Sequence, residues 1–219
     1  MSLKNKVIAF DCDGTIVDTF LLIEKTVLLT FQEIFPEYPL TIEEARSFFG
    51  PFLNDSFRKY VTTEEEVNYC VERYRYYNNL LMPEYIKPYD GIKELLKWLK
   101  QKGIKIAIVS NKVTEAIVYG LKLCQIEPYF DLIIGAEKLK EPKPNPDGLY
   151  QLQEYYHPDQ MMFVGDTTID IETGNNAKIS TIGVTWCKST KQQLLDAGAT
   201  HVVDHPEEIK QIVREYYGV

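Results

Sequence analysis

Cysteine and histidine are both scarce in this chain. Its 219 residues include four cysteines, Cys12, Cys70, Cys124 and Cys187, and three histidines, His157, His201 and His205. No two cysteines stand in C-x-x-C spacing, so neither a zinc cluster nor a disulfide framework is signalled, and reduced, mostly structural thiols are expected. The histidines fall near the ends of late segments, two of them beside prolines, where surface or capping roles are expected. Long apolar sequence is missing too: nothing approaches the roughly 18 to 20 uninterrupted apolar residues that cross a bilayer. The opening MSLKNKVIAFDCDGT reaches acidic residues after only four apolar ones, so it lacks a signal-peptide core, and a cytoplasmic protein with no membrane partner is expected. Basic residues are in deficit, 24 against 32 acids, for a formal net charge of −8. Nucleic acid is therefore a poor partner, because its backbone is held by clustered Lys and Arg that displace counterions. The G-x-x-x-x-G-K-[ST], G-x-G-x-x-G and G-x-S-x-G loops are also absent.

What is present is an ordinary globular composition, 45% hydrophobic and 26% charged, in a length that suits one large domain or one domain with an insertion. Short apolar, β-branched runs recur at residues 7–10, 104–109, 132–134, 161–164, 181–184 and 201–203, as buried strands do. Helical periodicity separates the later ones. Between residues 89 and 103, Ile92, Leu95, Leu96 and Leu99 fall on one face, with Asp90 as the expected N-cap and Gly103 as the stop. Alternation of this kind predicts right-handed β-α-β units and an α/β fold with a doubly wound parallel sheet.

One stretch breaks the alternation. From about residue 16 to 87 the pattern is helical with no strand, so the first strand would reach its next partner only after some 90 residues. Such a gap is far longer than connections in compact domains. We expect an α/β core of residues 1–15 and 88–219 and an inserted helical domain of residues 16–87, with Tyr69, Tyr74, Tyr76, Tyr77 and Tyr85 forming core or partner-facing surface. The insertion carries 12 acids against 7 bases.

Ligands of open α/β sheets bind beyond the carboxyl ends of the strands. Four ends carry polar groups: Asp11-Cys12-Asp13-Gly14-Thr15, Ser110-Asn111-Lys112, a loop holding Lys143, and Gly165-Asp166-Thr167-Thr168-Ile169-Asp170. Each alone is a weak signal, since paired acids and Gly-Asp steps are common in turns. Together they place four carboxylates, a hydroxyl and a lysine on one sheet edge. Carboxylates so close need a cation among them, and oxygen donors without Cys or His suit a hard ion, Mg2+ being the natural candidate.

In this order the motifs resemble those of the haloacid dehalogenase superfamily in its phosphatase branch, and the resemblance covers the whole chain. It implies a Rossmann-like core, a helical cap over the site, and Mg2+-dependent hydrolysis of a small phosphate monoester. Asp11 would attack phosphorus to give an aspartyl-phosphate, and Asp13 would protonate the leaving oxygen and later activate water. Gly14, Thr15, Ser110 and Asn111 would bind the phosphate, and Lys143 would offset its charge. Asp11, the main-chain carbonyl of Asp13, Asp166 and Asp170 would hold the metal, Asp170 directly or through water. The acid at position 13 separates this chain from halide-releasing relatives, whose leaving group needs no proton.

The segment containing Gly50, Pro51 and Phe52 resembles the cap loop of phosphoglycolate phosphatases and their pyrophosphatase and nucleotidase relatives. Gly50 would allow close approach to the substrate and Pro51 would stiffen the loop; alternatively the loop is a plain inter-helix turn with Asn54 or Asp55 as N-cap. Phe52 stands where relatives often carry a second proline, and Glu141 where they commonly carry a base. Arg46, Arg58, Arg73 and Arg75 are the cap cations that could meet a second substrate anion. A small phosphorylated metabolite is the expected partner, phosphoglycolate-like, with pyrophosphate or a nucleoside monophosphate as alternatives. Phosphotransfer like that of β-phosphoglucomutase and non-catalytic binding are weaker readings. Monomer and homodimer are equally compatible with the sequence.

Overall fold

The computed structural model describes residues 6–219. From β1 (Lys6–Phe10) the chain passes through a two-residue strand, β2 (Val17–Asp18), into four helices, α1 (Phe20–Ile34), α2 (Ile42–Arg46), α3 (Leu53–Phe57) and α4 (Glu64–Tyr85), and returns through β3 (Lys87–Pro88). Strands and helices then alternate: α5 (Ile92–Gln101), β4 (Lys105–Val109), α6 (Thr114–Leu123), β5 (Leu132–Ile134), α7 (Asp147–Tyr156), β6 (Gln160–Gly165), α8 (Thr168–Asn176), β7 (Ser180–Val184), α9 (Lys191–Asp196), β8 (His201–Val203) and α10 (Pro206–Tyr217).

Six strands form one parallel sheet in the order β5-β4-β1-β6-β7-β8. All six apolar runs read from the sequence are its strands. The two-residue period of a strand sends alternate side chains to opposite faces. Ile8 and Phe10 join a core with Leu95 and Leu99 of α5, Leu121 of α6 and Val213 of α10. Val7 and Ala9 join another with Leu149 and Leu152 of α7. Both faces are thus covered, which explains why these strands read as continuous apolar runs.

The helices between β1 and α5 carry a core of their own, built on Val27, Phe31, Phe48, Phe57 and Val71. Phe31 is its centre, with the rings of Phe35, Phe48, Phe57 and Tyr60 at centroid distances of 5.1, 5.9, 6.2 and 4.8 Å. Edge-to-face and stacked pairs of this kind pack a small all-helical core tightly. Of the α4 tyrosines, Tyr74 packs against this core, whereas Tyr69 and Tyr76 face solvent.

Three local expectations need correction. The insertion is not wholly helical: β2 and β3 pair antiparallel where the chain leaves and rejoins the core, Val17 opposite Pro88 and Asp18 opposite Lys87. Two-residue strands containing Pro, Asp and Lys carry no apolar period to detect. Helix α5 is capped by Gly91, not Asp90, because the chain enters it at φ 85°, a left-handed conformation that favours glycine. Helix α3 is capped by Phe52, without a side-chain bond, so neither Asn54 nor Asp55 is an N-cap.

Leu96 is fully buried in α5 whereas Lys93 on the same helix is exposed. Leu96→Ala should lower unfolding free energy by about 2–5 kcal/mol, the range for deleting a buried leucine. Lys93→Ala should change it by less than about 0.5 kcal/mol. Urea midpoints with equal slopes check both.

Candidate active site

Connections diverge at β1, whose neighbours β4 and β6 are far downstream: Ile8 is paired with Ile106 on one side and with Met162 on the other. The carboxyl end of β1 is therefore a topological switch point, where open α/β sheets form crevices. Asp11 leaves the strand here with its N–H donating to the Val164 carbonyl at 2.8 Å, so it is held to the end of β6.

Three carboxylates, its own included, meet here. Asp11, Asp166 and Asp170 are buried, and each offers an oxygen within 4.8 Å of the others. Lys143, also buried, places Nζ 2.8 Å from Asp11 Oδ1, an ion-pair contact without hydrogen-bond alignment, and donates to Asp170 Oδ1 at 2.5 Å. The other Asp170 oxygen accepts from Thr167 N–H at 3.0 Å and Thr167 Oγ1 at 2.6 Å, the capping box that opens α8. Both Asp170 oxygens thus have donors, and its visible role is to anchor Lys143 to the start of a helix.

Asp166 is different. Thr15 Oγ1 donates to its Oδ1 at 2.9 Å, but its buried Oδ2 has no hydrogen-bond partner. Gly14, at φ 80°, passes so close that a Cβ there would lie 2.5 Å from that oxygen. Burial, with Asp170 and Asp11 nearby, pushes the Asp166 carboxyl far above its usual range. Asp11 is pushed up to about 6, burial outweighing the attraction of Lys143. The ammonium of Lys143 is raised as well: burial alone would lower its pKa, but Asp11 and Asp170 more than offset that. Bare carboxylate oxygens turned inward, with no Cys or His among them, fit a hard divalent cation.

Asp13 faces a cleft of about 710 Å³ between the sheet edge and the inserted helices. Lys112 Nζ donates to its Oδ1 at 2.9 Å. Asp11, Ser110, Asn111 and Lys143 also line this cleft, as do Gly50, Pro51 and Phe52 from the loop before α3. Asn111 holds the loops in register: its Oδ1 accepts from Lys143 N–H at 2.8 Å, and its Nδ2 lies 3.3 Å from the Lys143 carbonyl and 3.4 Å from that of Gly50. Lys188 adds a second tie to the inserted segment by donating to the Phe49 carbonyl at 3.3 Å.

The structure therefore gathers Asp11, Asp13, Ser110, Asn111, Lys143, Asp166 and Asp170 at one edge. Two expected phosphate contacts already have partners within the chain. The Thr15 hydroxyl is fully buried against Asp166, and Gly14 N–H donates to the Val17 carbonyl at 2.9 Å. Lys112 was not singled out in the sequence, because the acid it meets is 99 residues away and a lysine after a strand usually points into water. Tyr74 and Asn78, which line the cleft from α4, gave no signal within a polar, tyrosine-rich helix.

The chain is similar to known proteins over nearly its whole length. Residues 8–184 match the family model described as haloacid dehalogenase-like hydrolase. The chain is 31% identical to pyrophosphatase PpaX of Listeria monocytogenes serotype 4b over 217 residues, covering 98% of this chain and 99% of that one. Among solved structures it is similar to a predicted phosphatase from Clostridium acetobutylicum, with TM-score 0.85, 28% identity and coverage of 98% and 100% of the two chains. It is also similar to a chain from Lactobacillus delbrueckii subsp. bulgaricus provisionally assigned as a phosphoglycolate phosphatase, with TM-score 0.79, 26% identity and coverage of 96% and 99%. The motifs read from the sequence, the parallel sheet and the family match agree: this chain belongs to the haloacid dehalogenase-like hydrolases.

Proposed function

We propose that this hydrolase is a phosphatase that transfers the phosphoryl group of a small substrate to Asp11 and then to water. One observation carries the reading: Asp11 sits at the cleft floor against a buried lysine, backed by two further buried carboxylates, one of which has an unpartnered oxygen. Asp11, the main-chain carbonyl of Asp13, and Asp166 would hold Mg2+, and Asp170 supports the set by fixing Lys143. When bound, the cation neutralises charge on the carboxylates and on the phosphoryl oxygens.

The chain's own residues do the rest. Asp11 attacks phosphorus, forming the P–O bond to its carboxylate as the bond to the leaving oxygen breaks, which divides one hard hydrolysis into two steps. Asp13 gives its proton to that leaving oxygen and then takes one from the water that attacks the aspartyl-phosphate. Lys112 holds the Asp13 carboxylate facing the cleft between these steps. Lys143 and the Ser110 hydroxyl stabilise charge developing on the transferring group. Residues 16–87 form a cap domain whose Gly50-Pro51-Phe52 loop borders the leaving-group side. A phosphoglycolate-like monoester is the first substrate reading. Pyrophosphate is the second, favoured by the likeness to PpaX over nearly the whole chain.

Asp11→Asn should lower Mg2+-supported turnover of p-nitrophenyl phosphate by about a thousandfold or more while leaving the circular dichroism spectrum unchanged. Turnover at the native rate would refute the nucleophile assignment. Chelation with EDTA should abolish activity, and added Mg2+ should restore it. Gly14→Ala would thrust a methyl group at Asp166 from a left-handed backbone, so its Mg2+ activation curve should shift to at least about tenfold higher concentration.

A further inference from the structure

Four arginines lie on the inserted segment, and the structure separates one from the other three. Arg46 pairs with Glu24 at 2.6 Å, Arg58 with Asp55 at 2.6 Å and Glu64 at 3.0 Å, and Arg73 with Glu33 at 2.8 Å. Arg75 makes no ion pair among the described residues, although Glu72 stands three positions before it on α4, a spacing at which helical side chains meet. Arg75 is exposed and lies among the residues that line the cleft holding Asp11 and Asp13.

The other cations lining that cleft are already matched, Lys143 by Asp11 and Asp170, Lys112 by Asp13. Glu115 and Glu137 also border the cleft, but neither pairs with Arg75, and Glu137 accepts from Thr114 N–H at 3.0 Å. Arg75 is therefore the one uncompensated cation among the described residues of the cleft wall.

Its neighbours share the same orientation. Tyr74, Asn78 and Asn79 line the cleft with it, the spacing of one helix face. Asn78 is only 3% exposed, yet the one hydrogen bond its amide makes is a long 3.5 Å contact to Thr26 Oγ1. An amide held by a single long hydrogen bond, beside a guanidinium with no ion-pair partner, gives this wall polar groups to offer a ligand. We infer that Arg75, with Asn78 beside it, is a specificity-determining subsite for a second oxyanion on the substrate, across the cleft from the phosphoryl group held at Asp11.

Guanidinium binds phosphate and carboxylate alike through paired N–H donors. The shared ligand chemistry is thus a phosphate carrying a second phosphate or a carboxylate. The inference rests on the proposed phosphatase reading for which end of the cleft takes the first phosphate.

Binding of non-hydrolysable ligands at constant Mg2+ tests it without requiring turnover. Methylenediphosphonate carries a second phosphonate, 3-phosphonopropionate a second carboxylate, and methylphosphonate neither. Titration calorimetry on the native protein should show about tenfold or tighter binding of one or both doubly anionic ligands relative to methylphosphonate, and whichever is preferred names the second group. Arg75→Gln should remove that preference, and Arg75→Lys should restore part of it. In turnover, KM for the preferred doubly anionic substrate should rise in Arg75→Gln by at least about tenfold more than for p-nitrophenyl phosphate. No preference in the native protein, or an equal loss for all three ligands, would overturn the subsite. A native-rate Asp11→Asn enzyme with the binding preference intact would instead overturn the mechanism and leave the subsite standing.

Discussion

A carboxylate taken out of water without compensation costs several kcal/mol, and this chain buries three within 4.8 Å of one another. Only one buried cation, Lys143, stands among them, and it reaches two of the three. The remaining charge falls on Asp166, whose second oxygen has no donor. Much of the surrounding structure serves to make this arrangement tolerable. Thr15 is buried to donate to Asp166, Thr167 caps α8 while donating to Asp170, and Asn111 fixes the backbone that carries Lys143. A buried carboxylate cluster with incomplete compensation is the kind of strain proteins retain at sites of chemistry.

The sheet explains why these residues meet. Because β4 and β6 both flank β1, three consecutive strand ends deliver Ser110, Asp11 and Asp166 to one edge, although they come from distant parts of the sequence. The floor of the cleft is thus set by a rigid parallel sheet covered on both faces. The wall opposite comes from α4 and the Gly50 loop, which rest on a separate aromatic core and touch the floor through a few polar ties. On the proposed reading, such a division would let the chemistry stay fixed while the wall selects what else the substrate carries.

Much of the floor is legible in the sequence. Its strands are buried on both faces and so read as unbroken apolar runs, and the polar groups after Phe10, Val109 and Val164 stand out against them. Contacts between distant residues were not legible. Lys112 meets Asp13 across 99 positions and Thr15 meets Asp166 across 151, and no local pattern encodes either pairing. The turn at Gly14 folds the Thr15 hydroxyl inward, an orientation that no run of neighbouring residues announces. The two-residue ribbon of β2 and β3 escaped for another reason: Val17 and Asp18 against Lys87 and Pro88 have no period to read. The wall from the inserted segment is hardest to read, since four arginines look equivalent until their carboxylate partners are seen.

The central claim is that the buried cluster exists to make Asp11 the acceptor of a phosphoryl group. Borohydride reduction of acid-quenched enzyme tests this most directly, because an aspartyl-phosphate is reduced to homoserine whereas a free aspartate is not. Enzyme quenched during turnover of a phosphate ester with Mg2+ should yield homoserine at position 11 by peptide mass spectrometry. An unmodified Asp11, with reduction at another carboxylate or at none, would contradict the account.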